Sequence, residues 1–388
     1  MDFTPSPEQA DILATVEAIC GRYGLDYWAR CDAEESFPDA FFREMVEGGF
    51  TAMTLPEAYG GSGLGLSTAA LVMQAIAQSG AGMNGASTVH SYVFIPEAIA
   101  LHASDEQRAR MLPPLISGEE RACLAITEPD AGIDTTRLRY RAERQGDHYV
   151  FSGEKVWPTM GRSADRMLLI ARTTPIEQCK RPIDGLSLFY TKIDRNHVEA
   201  RKIPKLGRNA LESCQLYIDA LPIPVADRIG EEGRGLYYLF DGLNPERILV
   251  AAEAIGLGRA AIRKASEYAN ERTVFGRPIG QNQAVQHPLA ESWIKLEAAS
   301  LLVQRAAWKH DRREPCGDDA NAAKYLAAEA SYEACTRAVM TYGGYGYAKE
   351  FYVERFLREA LLTRIVPVSP NLILCHIAER VLGLPKSY

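Results

Sequence analysis

One acid stands out by its neighbours. Glu246 lies in Asn244-Pro245-Glu246-Arg247, where the residue pattern places a helix start: Asn244 suits an N-cap and Pro245 the first helical position. A carboxylate so placed can serve as a general base. Two environments would tune it in opposite directions, since the helix dipole favours the charged form and an apolar pocket raises the pKa. Glu253 is the rival acid, two turns on, nearly the same face and about 10 Å along the axis. Its setting, Ala251-Ala252-Glu253-Ala254, is that of a buried, paired group. An ordinary first-turn glutamate is the alternative reading of Glu246, because helices favour acids there.

Four further segments carry groups suited to binding: Ile126-Thr127-Glu128-Pro129-Asp130-Ala131-Gly132, Gly153-Glu154-Lys155-Val156-Trp157-Pro158-Thr159, Glu271-Arg272-Thr273-Val274-Phe275-Gly276-Arg277, and Gly343-Gly344-Tyr345-Gly346-Tyr347. The strand-turn stretch Leu124–Gly132 offers backbone N–H groups and the Thr127 hydroxyl. Trp157 supplies a flat face and Thr159 a hydroxyl, although a hairpin carrying a core tryptophan has the same residues. Gly343 and Gly344 let backbone approach a phosphate closely, having no side chain.

The elements that position these groups change twice along the chain. Ser6-Pro7-Glu8-Gln9 and Ser104-Asp105-Glu106-Gln107 are capping boxes that open helices, and the Ala-rich run Ser67–Ser79 is too apolar for a surface helix. From Ala122 to about Arg228 come short β-branched or aromatic runs, His148–Ser152, Met167–Arg172, Gly185–Ile193 and Cys214–Ile218. Gly146-Asp147 marks a hairpin between Tyr140–Glu143 and the first of them. Helix returns after Gly235, with Pro245–Ala269, Gln283–Ala307, Ala320–Met340 and Tyr352–Thr363, then a last helix to Leu382. Long helices on short links favour a bundle. The expectation is an α+β, mainly α chain: an α-helical domain over 1–120, an antiparallel β-domain over 121–228 and an α-helical bundle over 229–388.

Composition excludes several classes. With 388 residues, 47% hydrophobic and 24% charged, the chain is soluble and globular in type. A net charge of -7 argues against nucleic acid. No apolar run approaches the roughly 20 residues of a transmembrane helix. Met1-Asp2-Phe3-Thr4-Pro5 shows neither a signal peptide nor an Arg-rich presequence, so the expected location is cytoplasmic. The eight cysteines contain no CxxC pair and read as reduced, buried thiols. The seven histidines lack metal-site spacing, His287 and His310 read as packing residues, and no metal is expected.

In this order, the four segments and Glu246 resemble the acyl-CoA dehydrogenase family over nearly the whole chain. The resemblance implies FAD as cofactor and a four-helix bundle at the C-terminus. It assigns Leu124, Ile126, Thr127, Gly132 and Ile133 to the cofactor, with Thr127 near the flavin pyrimidine edge. Trp157 would lie against the ring system and Thr159 would reach N5. Arg272, Phe275 and Gln283 match the segment that meets the pyrophosphate and adenine half of FAD, usually in a neighbouring subunit. That implies a homo-oligomer, a tetramer built as a dimer of dimers. Gly343 and Gly344 would approach a cofactor phosphate.

Three departures from the family pattern stand out. Met340 replaces a common glutamine, and Ile133 a common serine. Most members carry the catalytic glutamate in a tail loop, but Ile365-Val366-Pro367-Val368-Ser369-Pro370-Asn371 holds no acid, and none occurs between Glu359 and Glu379. Ser369 and Asn371 can still touch the cofactor. The isovaleryl and long-chain branches hold their base on the inner helix, and Glu246-Arg247-Ile248-Leu249 resembles theirs. Asn244 and Arg247 match positions that meet the CoA arm. The implied reaction is α,β-dehydrogenation of an acyl-CoA to a trans-2-enoyl-CoA, with Glu246 taking the α-proton, a β-hydride passing to the flavin, and electrons leaving to an electron-transfer flavoprotein. The acyl group leans to branched, bulky or long. An acyl-CoA or nitroalkane-type oxidase on the same scaffold is one alternative, and a non-catalytic FAD-binding subunit is another.

Overall fold

In the computed structural model, which describes residues 4–387, both capping boxes do what their spacing implies. The Ser6 and Ser104 hydroxyls each accept the N–H three residues on, and Gln9 and Gln107 return the bond, opening α1 (Pro7–Cys20) and, later, α6 (Asp105–Ile116). Residues 1–3 of the N-terminal reading lie outside the described residues. Between them run α2 (Leu25–Glu34), α3 (Asp39–Glu47), α4 (Leu66–Ile76) and α5 (Gly82–His102). The Ala-rich run becomes α4, whose Ala69, Val72, Met73 and Ile76 are wholly buried against Ile248, Leu249 and Ile255 in the core. A π-helical turn, Ala77–Ala81, joins α4 to α5, and Gly80 (φ 109) permits the kink.

The middle of the chain forms two four-stranded sheets. One runs β1 (Ala122–Ala125), β4 (Arg166–Arg172), β5 (Leu186–Lys192), β8 (Arg228–Ile229) in spatial order. The other runs β2 (Ala142–Gln145), β3 (His148–Thr159), β7 (Ser213–Pro224), β6 (Val198–Lys202). Their facing sides share a core of Tyr149, Phe151, Leu169, Phe189 and Leu216. The Gly146-Asp147 hairpin joins β2 to β3. Pairing is antiparallel throughout except between β1 and β4, which are parallel and connected by a long crossover. The β3–β7 register slips between Val156 and Thr159, and there Trp157 takes φ 75, so the irregularity turns the indole out of the sheet.

The last third is helical. α7 (Gly235–Glu271), α8 (Gln283–Asp311), α9 (Gly317–Tyr342) and α10 (Val353–Ile365) pack as a four-helix bundle, with the β9–β10 hairpin (Thr273–Val274 and Arg277–Pro278) between α7 and α8 and with α11 (Pro370–His376) after α10. The helix carrying Glu246 does not begin at Asn244. It begins at Gly235, and Pro245 sits inside it. Leu236 and Leu239 are buried among Ile99, Leu168 and Leu188, and that burial carries the helix three turns upstream past the local Asn-Pro signal. Pro245 only removes the N–H that Asp241's carbonyl would have received. Glu246 is therefore not a first-turn residue, and the helix dipole does not tune it. Among the described residues, no single helix is long and apolar enough to cross a membrane.

Candidate functional site

Glu246 and Glu253, both on α7, face His90 on α5. Glu246 Oε2 lies 2.8 Å from His90 Nε2, and Glu253 Oε1 lies 2.5 Å from His90 Nδ1. Ser87 Oγ donates to the second Glu253 oxygen at 3.4 Å. Glu253 is wholly buried, whereas the Glu246 side chain keeps 23% exposure. Its Oε1 has no hydrogen-bond partner among the described residues. The rival acid is thus spent on His90 and Ser87, and Glu246 keeps an oxygen free. Burial alone would drive the His90 imidazole down, but the Glu246 and Glu253 carboxyls hold it well above its ordinary value. Burial likewise pushes the Glu246 carboxyl up, and His90, then Arg208 and Arg247, bring it below the usual glutamate value.

Arg247, the residue after Glu246, sits among polar and basic groups. Arg247 donates to Asn244 Oδ1 at 3.0 Å, and burial pulls its guanidinium below the ordinary value while Glu246 opposes. Lys324 lies within electrostatic reach of Arg247 and donates to the Val368 carbonyl at 2.7 Å, and burial drops its amine to about 8. Lys324 thus connects the acid-free loop to the surroundings of Arg247. Ser369 is occupied as the N-cap of α11, accepting from Leu372 N–H, and Asn371 is exposed.

The segment with Thr127 and the segment with Trp157 are locked together by a buried ion pair. Lys155 Nζ donates to the Ile126 carbonyl and to Glu128 Oε1, both at 3.0 Å. Glu128 in turn accepts the N–H groups of Arg139 and Tyr140, and Val156 N–H donates to the Thr127 carbonyl at 2.9 Å. Burial lowers the Lys155 amine to about 8 despite its partner. Leu124 packs against the core beside the first sheet, while Gly132 and Ile133 are exposed.

Arg208, in the β6–β7 loop at φ 56, links this cradle to the acids. Its Nη2 donates to Thr159 Oγ1 at 3.0 Å, and its guanidinium feels Glu253, Glu359 and Glu246. Its Nε is buried without a partner. Because arginine only donates, the Thr159 hydroxyl hydrogen stays free for an acceptor outside the protein.

A separate group of residues stands further along the bundle. Arg272 caps α7 and lies over the Tyr345 ring at 5.9 Å, so the third and fourth segments meet. Phe275, at φ 52, is 100% exposed, and Gln283 opens α8 with its side chain exposed. Met340 and Tyr347 are also exposed, and a Cβ at Gly343 or Gly344 would meet nothing within 4 Å. Trp157, at 55% exposure, is not a core tryptophan.

His90 and Arg208 were not legible as site residues. A signal for His90 existed: Asn84, Ser87, His90 and Ser91 form a polar stripe at helical spacing on an otherwise apolar helix. Glu128 and Lys155 appeared only as parts of segments, yet they fix the cradle. No group of three or more His, Cys, Asp or Glu among the described residues is placed to hold a metal, and all eight cysteines are free.

Comparison with known proteins gives a consistent result. Family models for the N-terminal, middle and C-terminal domains of acyl-CoA dehydrogenase match residues 6–119, 123–221 and 233–382. The chain is 33% identical over 395 residues to acyl-CoA dehydrogenase fadE12 of Mycobacterium bovis, covering 100% of this chain and 99% of that protein. It is 33% identical over 383 residues to benzylmalonyl-CoA dehydrogenase of Aromatoleum aromaticum, covering 98% and 100%. A solved structure of glutaryl-coenzyme A dehydrogenase with glutaryl-CoA superposes with a TM-score of 0.94 at 32% identity, covering 100% of this chain and 98% of that one.

Proposed function

The chain belongs to the acyl-CoA dehydrogenase family and is an FAD-dependent oxidoreductase; from that premise we propose that it converts an acyl-CoA thioester to its trans-2-enoyl-CoA, with Glu246 as the base. The observation that carries this reading is the free Oε1 of a partly exposed Glu246, in a chain whose tail loop holds no acid.

The residues present fit the cofactor. Trp157 is turned outward by backbone that would otherwise hold it in the sheet, Arg208 leaves one buried donor unused, and Gly343–Gly344 leave open backbone. FAD, when bound, accepts the hydride from the β-carbon. Thr127 and Thr159 would hold the flavin's polar edge, Leu124, Ile126, Gly132 and Ile133 would form the surrounding wall, and Trp157 would cover one face. Arg272, Phe275, Gln283, Gly343 and Gly344 would hold the nucleotide half, with Ser369 and Asn371 near it.

The chain's own groups do the proton chemistry. The thioester would lie with its α-carbon toward Glu246 Oε1, its CoA arm passing Asn244 and Arg247. Glu246 takes the α-proton because His90 keeps it charged although burial opposes that. The closed packing of α4, α5 and α7 around Glu253 and His90 keeps bulk water from the rear of the base.

Exposed Trp293, Ile294, Leu301 and Trp308 on α8, with Phe275 on the hairpin, support assembly as a homotetramer. An electron-transfer flavoprotein as acceptor, a cytoplasmic location, a fatty-acid role and the three domain spans 1–120, 121–228 and 229–388 complete the reading.

The test is flavin bleaching under anaerobic conditions with a panel from butyryl-CoA to palmitoyl-CoA, including isovaleryl-CoA. Glu246→Gln is expected to keep its FAD and to lose about 10³–10⁴-fold in reduction rate. Undiminished bleaching would remove Glu246 as base, and reoxidation by air within a few turnovers would make the protein an oxidase instead.

A further inference from the structure

We propose that His90 and Glu253 form a proton-adjusting pair behind Glu246, orienting its carboxylate and shifting one proton toward Glu253 as Glu246 accepts the substrate's α-proton. The proposal rests on Glu246 being the base.

Geometry is the starting point. Both imidazole nitrogens face carboxyl oxygens, at 2.8 Å and 2.5 Å, so each gap holds one proton. A packing histidine needs one partner, and a plain tie between α5 and α7 needs no second acid. The two glutamates lie seven residues apart on one face, about 10 Å along the axis, and only a side chain wedged between them can touch both. His90 is 7% exposed and Glu253 is wholly buried, while the Glu246 end opens to the substrate side. The chain is thus closed at one end and accessible at the other.

The surrounding charges have been placed to match. Arg208 reaches toward Glu246 and Glu253 from the β6–β7 loop, and Arg247 toward Glu246 from α7 itself. From α10, Glu359 also faces Arg208, but its oxygens are taken by Arg355, Asn84 and the Met83 N–H. None of these groups bridges the two acids; His90 does.

The arrangement resolves a conflict. At rest, an imidazolium against Oε2 keeps Glu246 charged in a desolvated pocket. A permanent imidazolium would leave Glu246 too weak a base for a carbon acid. The short Nδ1–Oε1 contact allows both. At the reaction step the substrate's α C–H bond breaks and an O–H bond forms at Glu246 Oε1. The C–H electron pair enters the new Cα=Cβ bond while the β-hydride departs to the family's FAD. The His90 Nδ1–H bond breaks, its pair returns to the ring, and an O–H bond forms at Glu253 Oε1. The array gains one proton and no imidazolium remains beside the protonated base. The shift reverses when Glu246 gives its proton to solvent after product leaves.

The experiment compares holoenzymes of wild type, His90→Gln, Glu253→Gln and the double variant by stopped-flow flavin reduction with isovaleryl-CoA across pH, or with the fastest member of the butyryl-to-palmitoyl panel. His90→Gln is expected to move the acidic limb of kcat/KM up by about one pH unit, a tenfold change in proton affinity, because Glu246 loses its imidazolium, whereas Glu253→Gln, which leaves the ring proton no acceptor, should not move it up. Each single variant should lower kcat by about 10–100-fold with KM little changed. The double variant should be no slower than the worse single one, because the two act as a unit. An unmoved limb in His90→Gln, an undiminished kcat in Glu253→Gln, or losses that multiply in the double would overturn the pair. Histidine-selective ¹⁵N NMR of the wild type supplies a readout that needs no variant to fold: both His90 nitrogens should be protonated at neutral pH, and a neutral ring there defeats the proposal. If Glu246→Gln retains flavin reduction, it is the base assignment that fails, whatever the His90 signals show.

Discussion

Two regions of this molecule treat their polar and aromatic groups in opposite ways. In the helical interior the buried acids are paired with this chain's own cations: Glu246 and Glu253 flank His90, Arg355 holds Glu359, and Asp32 accepts from Arg358. On the parts proposed to hold the cofactor, Trp157, Ile133, Phe275, Met340 and Tyr347 present apolar surface, and Arg208 keeps a donor in reserve. The first region is finished by this chain alone. The second is finished only when something covers it, because exposed aromatic groups in such number mark a binding surface. Under the proposed function, proton chemistry is built into the fold, whereas redox chemistry is brought to it.

The sharpest way to break that distinction is at Lys155, a fully buried ion pair placed under the open cradle. Lys155→Met leaves Glu128 buried without its cation and is expected to cost about 3–5 kcal/mol in urea unfolding. Because Lys155 also ties the Thr127 segment to β3, retention of FAD should fall in parallel. A loss below about 1 kcal/mol would show that the Arg139 and Tyr140 N–H groups suffice to hold Glu128.

Trp157 gives the contrasting result. Its ring is already more than half exposed, so Trp157→Ala should leave the unfolding midpoint of the FAD-free protein nearly unchanged. FAD affinity should drop by a stacking contribution of about 0.5–1.5 kcal/mol, roughly 2–10-fold, read by fluorescence titration. A large stability loss with no change in affinity would return Trp157 to the core.

The same division decides what was legible in the sequence. Both capping boxes and the Gly146-Asp147 hairpin could be read because their bonds close within a few residues. The cradle segments could be read because each is a contiguous stretch. The start of α7 could not, since Asn244-Pro245 is a local signal and the burial of Leu236 and Leu239 is not. The polar stripe on α5 marks His90 as facing something polar but not what, since its partners lie 156 and 163 positions away. The parallel β1–β4 pair likewise depends on a crossover rather than on a turn. Local chemistry announces itself, and a site assembled from α5, α7 and a β-loop does so only once the helices are packed.

The finest separation of the two regions is by pH. The folded-state value of Glu246 is lowered from 4.5, so its stabilising contribution is present above that and is lost as pH falls through the lowered value. The folded-state value of His90 is raised well above 6.5, so its contribution is complete below 6.5 and is lost as pH climbs toward the raised value. Both contributions are whole between 4.5 and 6.5. Urea midpoints measured across pH should therefore show the advantage of wild type over His90→Gln at its largest in that window and shrinking above it. Trp157→Ala carries no titrating group, and its small offset from wild type should stay level over the same range. An advantage that instead grew above pH 6.5 would mean that folding favours the neutral His90 ring, and the interior would then be no more electrostatically complete than the surface it faces.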